Sequence, residues 1–256
     1  MEPRREPLAI MEPLLALLVA PFVGSFLGVV VERLPGARPI GWSRSTCDRC
    51  GEALGVRDLV PIVSWLARRG RCRCGAIRLD PFYPGIELAA LAVALSAALV
   101  LSGWLLWVSL ALGWTLLALA AIDLRHFVLP DVLSLPLVPA GLAIAWLIDP
   151  ARLGDHAVGA AVGFLGFALI AWLYQRVRGR EGLGLGDAKL LGAGGAWLGW
   201  QALPSVVALG AAVALALALA GAAAGGKLSA TTRIAFGPYL ALAIWVVWLY
   251  GPLVPT

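Results

Sequence analysis

Two aspartates are the residues of this chain best placed to do chemistry: Asp123 in LALAAIDLRHFVLPD and Asp187 in GLGLGDAKLL. Each stands at the mouth of a long apolar segment. A carboxylate at the edge of a bilayer core costs free energy, so it usually marks a working site. Two carboxyls a few ångström apart cannot both ionise readily, and such a pair holds one proton between its members. The ionised member can act as general base on a water while the protonated one polarises a scissile carbonyl. A pair of this kind titrates jointly, so the sequence does not say which aspartate plays which part.

The residues around Asp187 suit a site. Gly182, Gly184 and Gly186 remove side chains just before the carboxylate, which would let an extended substrate backbone come close. The plainer alternative is a loop with Asp187 as the N-cap of the helix that follows. Lys189 lies two residues on, either holding a carboxylate ionised or snorkelling to the interface. Gly184, Gly186 and Lys189 are taken as substrate-binding candidates. Glu87 joins them as a third membrane-edge carboxylate. Arg125 and His126 read as interfacial polar residues, and Asp131 as a helix N-cap.

All four cysteines fall in one polar stretch, as Cys47-Asp-Arg-Cys50 and Cys72-Arg-Cys74. Two close pairs separated by a loop fit a four-thiolate zinc site. Gly51 and Gly75 follow the second cysteine of each pair, where a tight knuckle needs a permissive backbone. A cytoplasmic setting favours metal over disulfides. Four reduced thiols, or two disulfides were the topology reversed, are the alternatives. A polar insert of this size builds little core of its own, so the metal would be structural and supply folding free energy.

Composition says what these residues are set in. Of 256 residues, 61% are hydrophobic and 14% charged, whereas a soluble domain is about half apolar and about a quarter charged. Several runs reach the roughly 20 residues that a spanning helix needs. The expected architecture is an all-α polytopic membrane protein, a bundle of about eight transmembrane helices with a small cytoplasmic zinc-ribbon-like insert. The expected spans are Leu14–Val31, Gly85–Leu101, Trp104–Ile122, Val132–Ile148, Ala157–Tyr174, Ala188–Trp200, Leu203–Ala224 and Tyr239–Tyr250. The first is expected to be a retained span rather than a signal peptide, because acidic residues dilute its basic flank and no A-x-A site follows. The expected division is 1–31 (tail and first span), 32–84 (Cys-containing insert) and 85–256 (the bundle with both aspartates). Ten arginines lie between Arg33 and Arg78, which places the insert on the cytoplasmic side and both aspartates on the same face. These arginines are scattered among acids and prolines without a basic stripe or aromatic platform, so no nucleic-acid partner is expected.

The chain resembles the type IV prepilin peptidases, the GxGD-type leader peptidases of type IV pilus and type II secretion systems. The resemblance runs nearly end to end: GSFLGVVVERLP, the paired cysteines, LVPIVSWLARRGRCRCG, YPGIELAAL, AAIDLRHFVLPDVLSLPL, GLGLGDAKLLGAGGAWLG and IAFGPYLALA. It implies an aspartic endopeptidase of the bacterial inner membrane with Asp123 and Asp187 catalytic. It further implies removal of a basic leader from prepilins or pseudopilins at the cytoplasmic face, after a glycine. N-methylation of the new N-terminal residue, usually phenylalanine, with S-adenosylmethionine would follow. By the same resemblance Cys47, Cys50, Cys72 and Cys74 bind zinc, although the second pair is C-x-C and one residue short of the family pattern.

Two other readings compete. A proton-coupled transporter also carries membrane carboxylates, but it would place them near the midplane on broken helices. A non-enzymatic assembly scaffold docking partners through the insert leaves the GLGLGD segment unexplained.

Overall fold

The computed structural model describes residues 6–40, 55, 60–72, 78–179, 184–225 and 235–253. Ten α-helices are described: α1 (Glu6–Arg33), α2 (Val63–Ala67), α3 (Phe82–Ala98), α4 (Gly103–His126), α5 (Asp131–Ser134), α6 (Leu137–Ile148), α7 (Leu153–Arg178), α8 (Leu185–Leu198), α9 (Leu203–Ala223) and α10 (Gly237–Tyr250). Among the described residues there is no strand, only an isolated antiparallel bridge between Arg71 and Arg78. This is the all-α class expected for an apolar chain that must satisfy its backbone inside each segment.

Every expected span coincides with helix, but eight crossings do not follow from that. Five segments are long and apolar enough to cross a membrane: Met11–Arg33, Gly103–His126, Asp131–Ile148, Pro150–Arg178 and Trp200–Ala223. Phe82–Ala98 and Gly237–Tyr250 are apolar but shorter, and α8 is shorter still than a usual span. The fourth expected span is also broken. Helix stops at Ser134 and resumes at Leu137, because Pro136 has no N–H to continue the ladder.

Contacts divide the chain into two compact units, residues 1–118 and 119–256. In the first, α1 lies against α3. A β-carbon on Gly24 would come within 2.6 Å of Glu87 Cα and 3.0 Å of Ile86 O, so the two backbones meet where α1 has no side chain. The indole N–H of Trp114 on α4 donates to Ala90 O on α3 at 3.1 Å. The first N–H of α4, from Gly103, donates to Glu12 Oε2 on α1 at 2.8 Å, placing an acid where the helix dipole is positive.

In the second unit α8 is the central helix, and nearly all of Asp187–Trp197 is buried. Its glycines and alanines allow this, because small residues let helix backbones approach. Against α7, a β-carbon on Gly159 would come within 2.6 Å of Gly195 O, and one on Gly163 within 2.7 Å of Leu191 O. Against α6, Gly141 faces Trp197, whose indole N–H donates to Leu137 O at 2.8 Å. Against α10, Gly194 faces Ile244.

The outer faces of this unit are far less crowded. A β-carbon on Gly166 of α7 would meet nothing within 4 Å. Gly195→Ala should therefore destabilise the protein by about 1–3 kcal/mol, the usual penalty for overpacking, while Gly166→Ala, in open space within a helix, should be neutral to slightly stabilising. Thermal unfolding in detergent checks the pair, and equal midpoints would refute the packing account.

Candidate active site

Asp123 sits in the last turn of α4, three residues before the helix ends. Its side chain is 7% exposed, so water does not solvate it freely and the fold must supply a donor. Gly237, the first residue of α10, provides one: its N–H donates to Asp123 Oδ2 at 3.0 Å. The carboxylate thus leaves the unfavourable C-terminal end of its own helix and meets the N-terminus of another, where the dipole favours an anion. No larger residue fits there, since a β-carbon at 237 would lie 2.7 Å from Oδ2 and 3.2 Å from Cγ. Pro238 follows within the first turn and presets the backbone for the helix start.

Asp187 lies inside the first turn of α8, also buried. The N-cap is Gly184, in extended conformation, and the Asp187 N–H donates to Gly184 O at 3.1 Å. Asp187 is therefore not the N-cap weighed as the plain alternative. Leu129 packs against both Gly186, the residue before Asp187, and Gly237, the donor to Asp123, so the two aspartates stand at adjoining helix ends. The fold brings together two residues 64 positions apart, on the ends of different helices.

Other expected site residues divide by place. A β-carbon on Gly184 would stand at an ordinary 3.6 Å from Asp187 Oδ2, so this backbone is accessible beside the carboxylate. At Gly186 the space is filled: a β-carbon would come within 3.0 Å of Leu129 Cβ. Lys189 is paired, its ammonium 2.6 Å from Asp131 Oδ1. Asp131 is accordingly not a cap either. Pro130 holds the N-cap position of α5, and the Asp131 side chain reaches across to α8. Arg125 and His126 are exposed.

Glu87 belongs to the first unit and is buried, 6% exposed. Its Oε2 accepts from the Ile62 N–H at 2.7 Å, and it also bonds the Ser25 side chain. Ile62 has φ of 60°, a left-handed conformation that β-branched residues avoid. Cys72 is buried, and close by in the chain the Leu79 N–H donates to Gly70 O at 2.8 Å. Cys47, Cys50 and Cys74 lie outside the described residues, as does Gly182. Among the described residues no group of three or more His, Cys, Asp or Glu could hold a metal ion.

Residues 110–219, which contain both aspartates, match the type IV leader peptidase family, and residues 18–101 match the bacterial Peptidase A24 N-terminal domain. A prepilin leader peptidase/N-methyltransferase of Aeromonas hydrophila is 37% identical, with 93% of this chain and 90% of the relative covered. The chain belongs to the type IV leader peptidase family. Like its relatives, this leader peptidase is an enzyme, an aspartic peptidase joined to an N-methyltransferase in one polypeptide. Relatives of the same name in Burkholderia pseudomallei, at 40% identity over 88% of this chain and 81% of the relative, and in Pseudomonas aeruginosa, at 36% over 93% and 90%, agree. No solved structure matches the leader peptidase.

Two neighbours of the aspartates escaped the sequence reading. Gly237 was visible within the IAFGPYLALA match as a glycine before proline at the mouth of an apolar segment, with nothing to mark its bond to Asp123. Leu129 had no signal beyond its place in the segment after Asp123.

Proposed function

We propose that Asp123 and Asp187 form the catalytic dyad of a prepilin leader peptidase. The observation that carries this is the convergence of two buried carboxyls on helix ends that share Leu129 as a neighbour. One carboxylate takes a proton from water as its oxygen adds to the scissile carbonyl. The other, protonated, donates to the carbonyl oxygen. The tetrahedral intermediate then collapses, with a proton passing to the leaving nitrogen.

The substrate class fits the setting. A basic leader followed by an apolar helix would lie with the helix in the bilayer and the leader in the cytoplasm, so the scissile bond meets the membrane edge. Gly184, with space beside Asp187, is the proposed contact for substrate backbone, with Lys189 at the rim. The three shorter helices α3, α8 and α10 complete the eight proposed crossings. Residues 1–31, 32–84 and 85–256 are the proposed divisions, with insert and dyad on the cytoplasmic side of the inner membrane. S-adenosylmethionine would supply the methyl group for the new N-terminus.

Asp123→Asn and Asp187→Asn, purified in detergent and given a prepilin, should each lose cleavage by at least about a thousandfold, since removing one member of an acid–base pair disables the unit. Mass spectrometry of the product reads the result. A folded variant that still cuts at the wild-type rate would end the dyad reading.

For Glu87, burial and the bond to the strained Ile62 turn favour holding the insert to α3 over direct contact with the leader. Glu87→Gln is then expected to leave KM for a leader-bearing peptide unchanged and to lower the unfolding midpoint. A raised KM at unchanged stability would restore the leader-binding role.

Cys47, Cys50, Cys72 and Cys74 are the proposed structural zinc ligands. Zinc bound there would supply folding free energy to the insert and no chemistry to cleavage. Metal analysis should find one zinc per chain, lost together with Cys72→Ser. Metal-free protein with four thiols open to alkylation would exclude the site.

A further inference from the structure

The segment between α4 and α5 turns sharply after Asp123. Phe127 has φ of 55°, a left-handed conformation that non-glycine residues hold only when their surroundings impose it. Its side chain does not gain by this, being 55% exposed, and Leu124, Val128 and Val132 are also exposed. Leu129 is the exception: among residues 124–132 it alone is buried. The far end of the segment is tied down by the Asp131–Lys189 ion pair to α8.

The place Leu129 fills is specific. A β-carbon on Gly186, next to Asp187, would come within 3.1 Å of Leu129 Cδ1. A β-carbon on Gly237, which donates to Asp123, would come within 3.3 Å of the same Cδ1. One methyl group therefore touches the start of α8 and the start of α10 together, at the residue adjoining one aspartate and at the residue holding the other.

We propose that Leu129 is a positioning residue that sets the separation of Asp123 and Asp187, as a spacer between the two helix starts. This rests on the dyad reading above. The left-handed turn at Phe127 aims Leu129 inward, and the Asp131–Lys189 pair keeps it there. A shorter side chain leaves a void between the two glycines, into which the helix starts can settle. Leu129 touches neither a reacting atom nor, in this role, the substrate, so its loss should act on turnover rather than affinity.

The test uses the full chain in detergent with a prepilin substrate. Leu129→Ala should lower kcat about a hundredfold, as misplacement near 1 Å can, with KM within about twofold. Leu129→Met, of similar volume, should restore kcat to within about threefold of wild type. The pH profile of cleavage should also move for Leu129→Ala, because the separation of paired carboxyls governs how they share a proton. A kcat within threefold of wild type for Leu129→Ala, or a change confined to KM, overturns the proposal. If Leu129→Ala does not yield a cooperative unfolding transition, Leu129→Val is judged by the same criteria with a tenfold loss of kcat expected. Inactive Asp→Asn variants beside a fully active Leu129→Ala would remove the spacer alone; active Asp→Asn variants would remove the dyad itself.

Discussion

A carboxylate withdrawn from water into an apolar bundle has to be met by donors that the fold itself provides. Here the donor to Asp123 is a backbone N–H at a helix start, brought within 3.0 Å because the residue that carries it is glycine. Much of the second unit is arranged to make that approach possible. α10 must begin at Gly237, α4 must end just past Asp123, and the segment between α4 and α5 must turn abruptly away. The left-handed Phe127 accomplishes that turn immediately after the last residue of α4.

The same economy of side chains shapes α8. A helix surrounded by α6, α7 and α10 has no room for the large apolar residues of a lipid-facing span, so its length is read out in glycine, alanine and leucine. Glycine here is a packing residue more than a flexible one. Close backbone approach along Gly159, Gly163, Gly192 and Gly195 fixes the axial position of α8, and that position decides where Asp187 stands. Trp197, bonded to Leu137 and packed edge-on against Trp248 at 5.2 Å, anchors the other end.

The helices and the two aspartates at their ends were legible from sequence, because hydropathy and length speak directly about single segments. What joins segments was not. Gly237 is 114 residues from Asp123, and no local pattern marks such a bond. Asp131 and Lys189 each looked complete alone, as cap and snorkelling base, yet they pair across 58 residues. The break at Pro136 was written in LSLPL but hidden by unbroken apolar composition. Gly186 looked like an opening for substrate and instead receives Leu129, since a glycine signals that something comes close without saying what.

The bond between Glu12 and the first N–H of α4 reaches far along the chain. The acceptor is synthesised 91 residues before the donor it will satisfy. In the finished fold that carboxylate meets the positive end of the α4 dipole, so a charge near one end of the chain helps fix where the helix bearing Asp123 begins. A chain shortened past Glu12 would keep both aspartates but leave the first N–H of α4 to water.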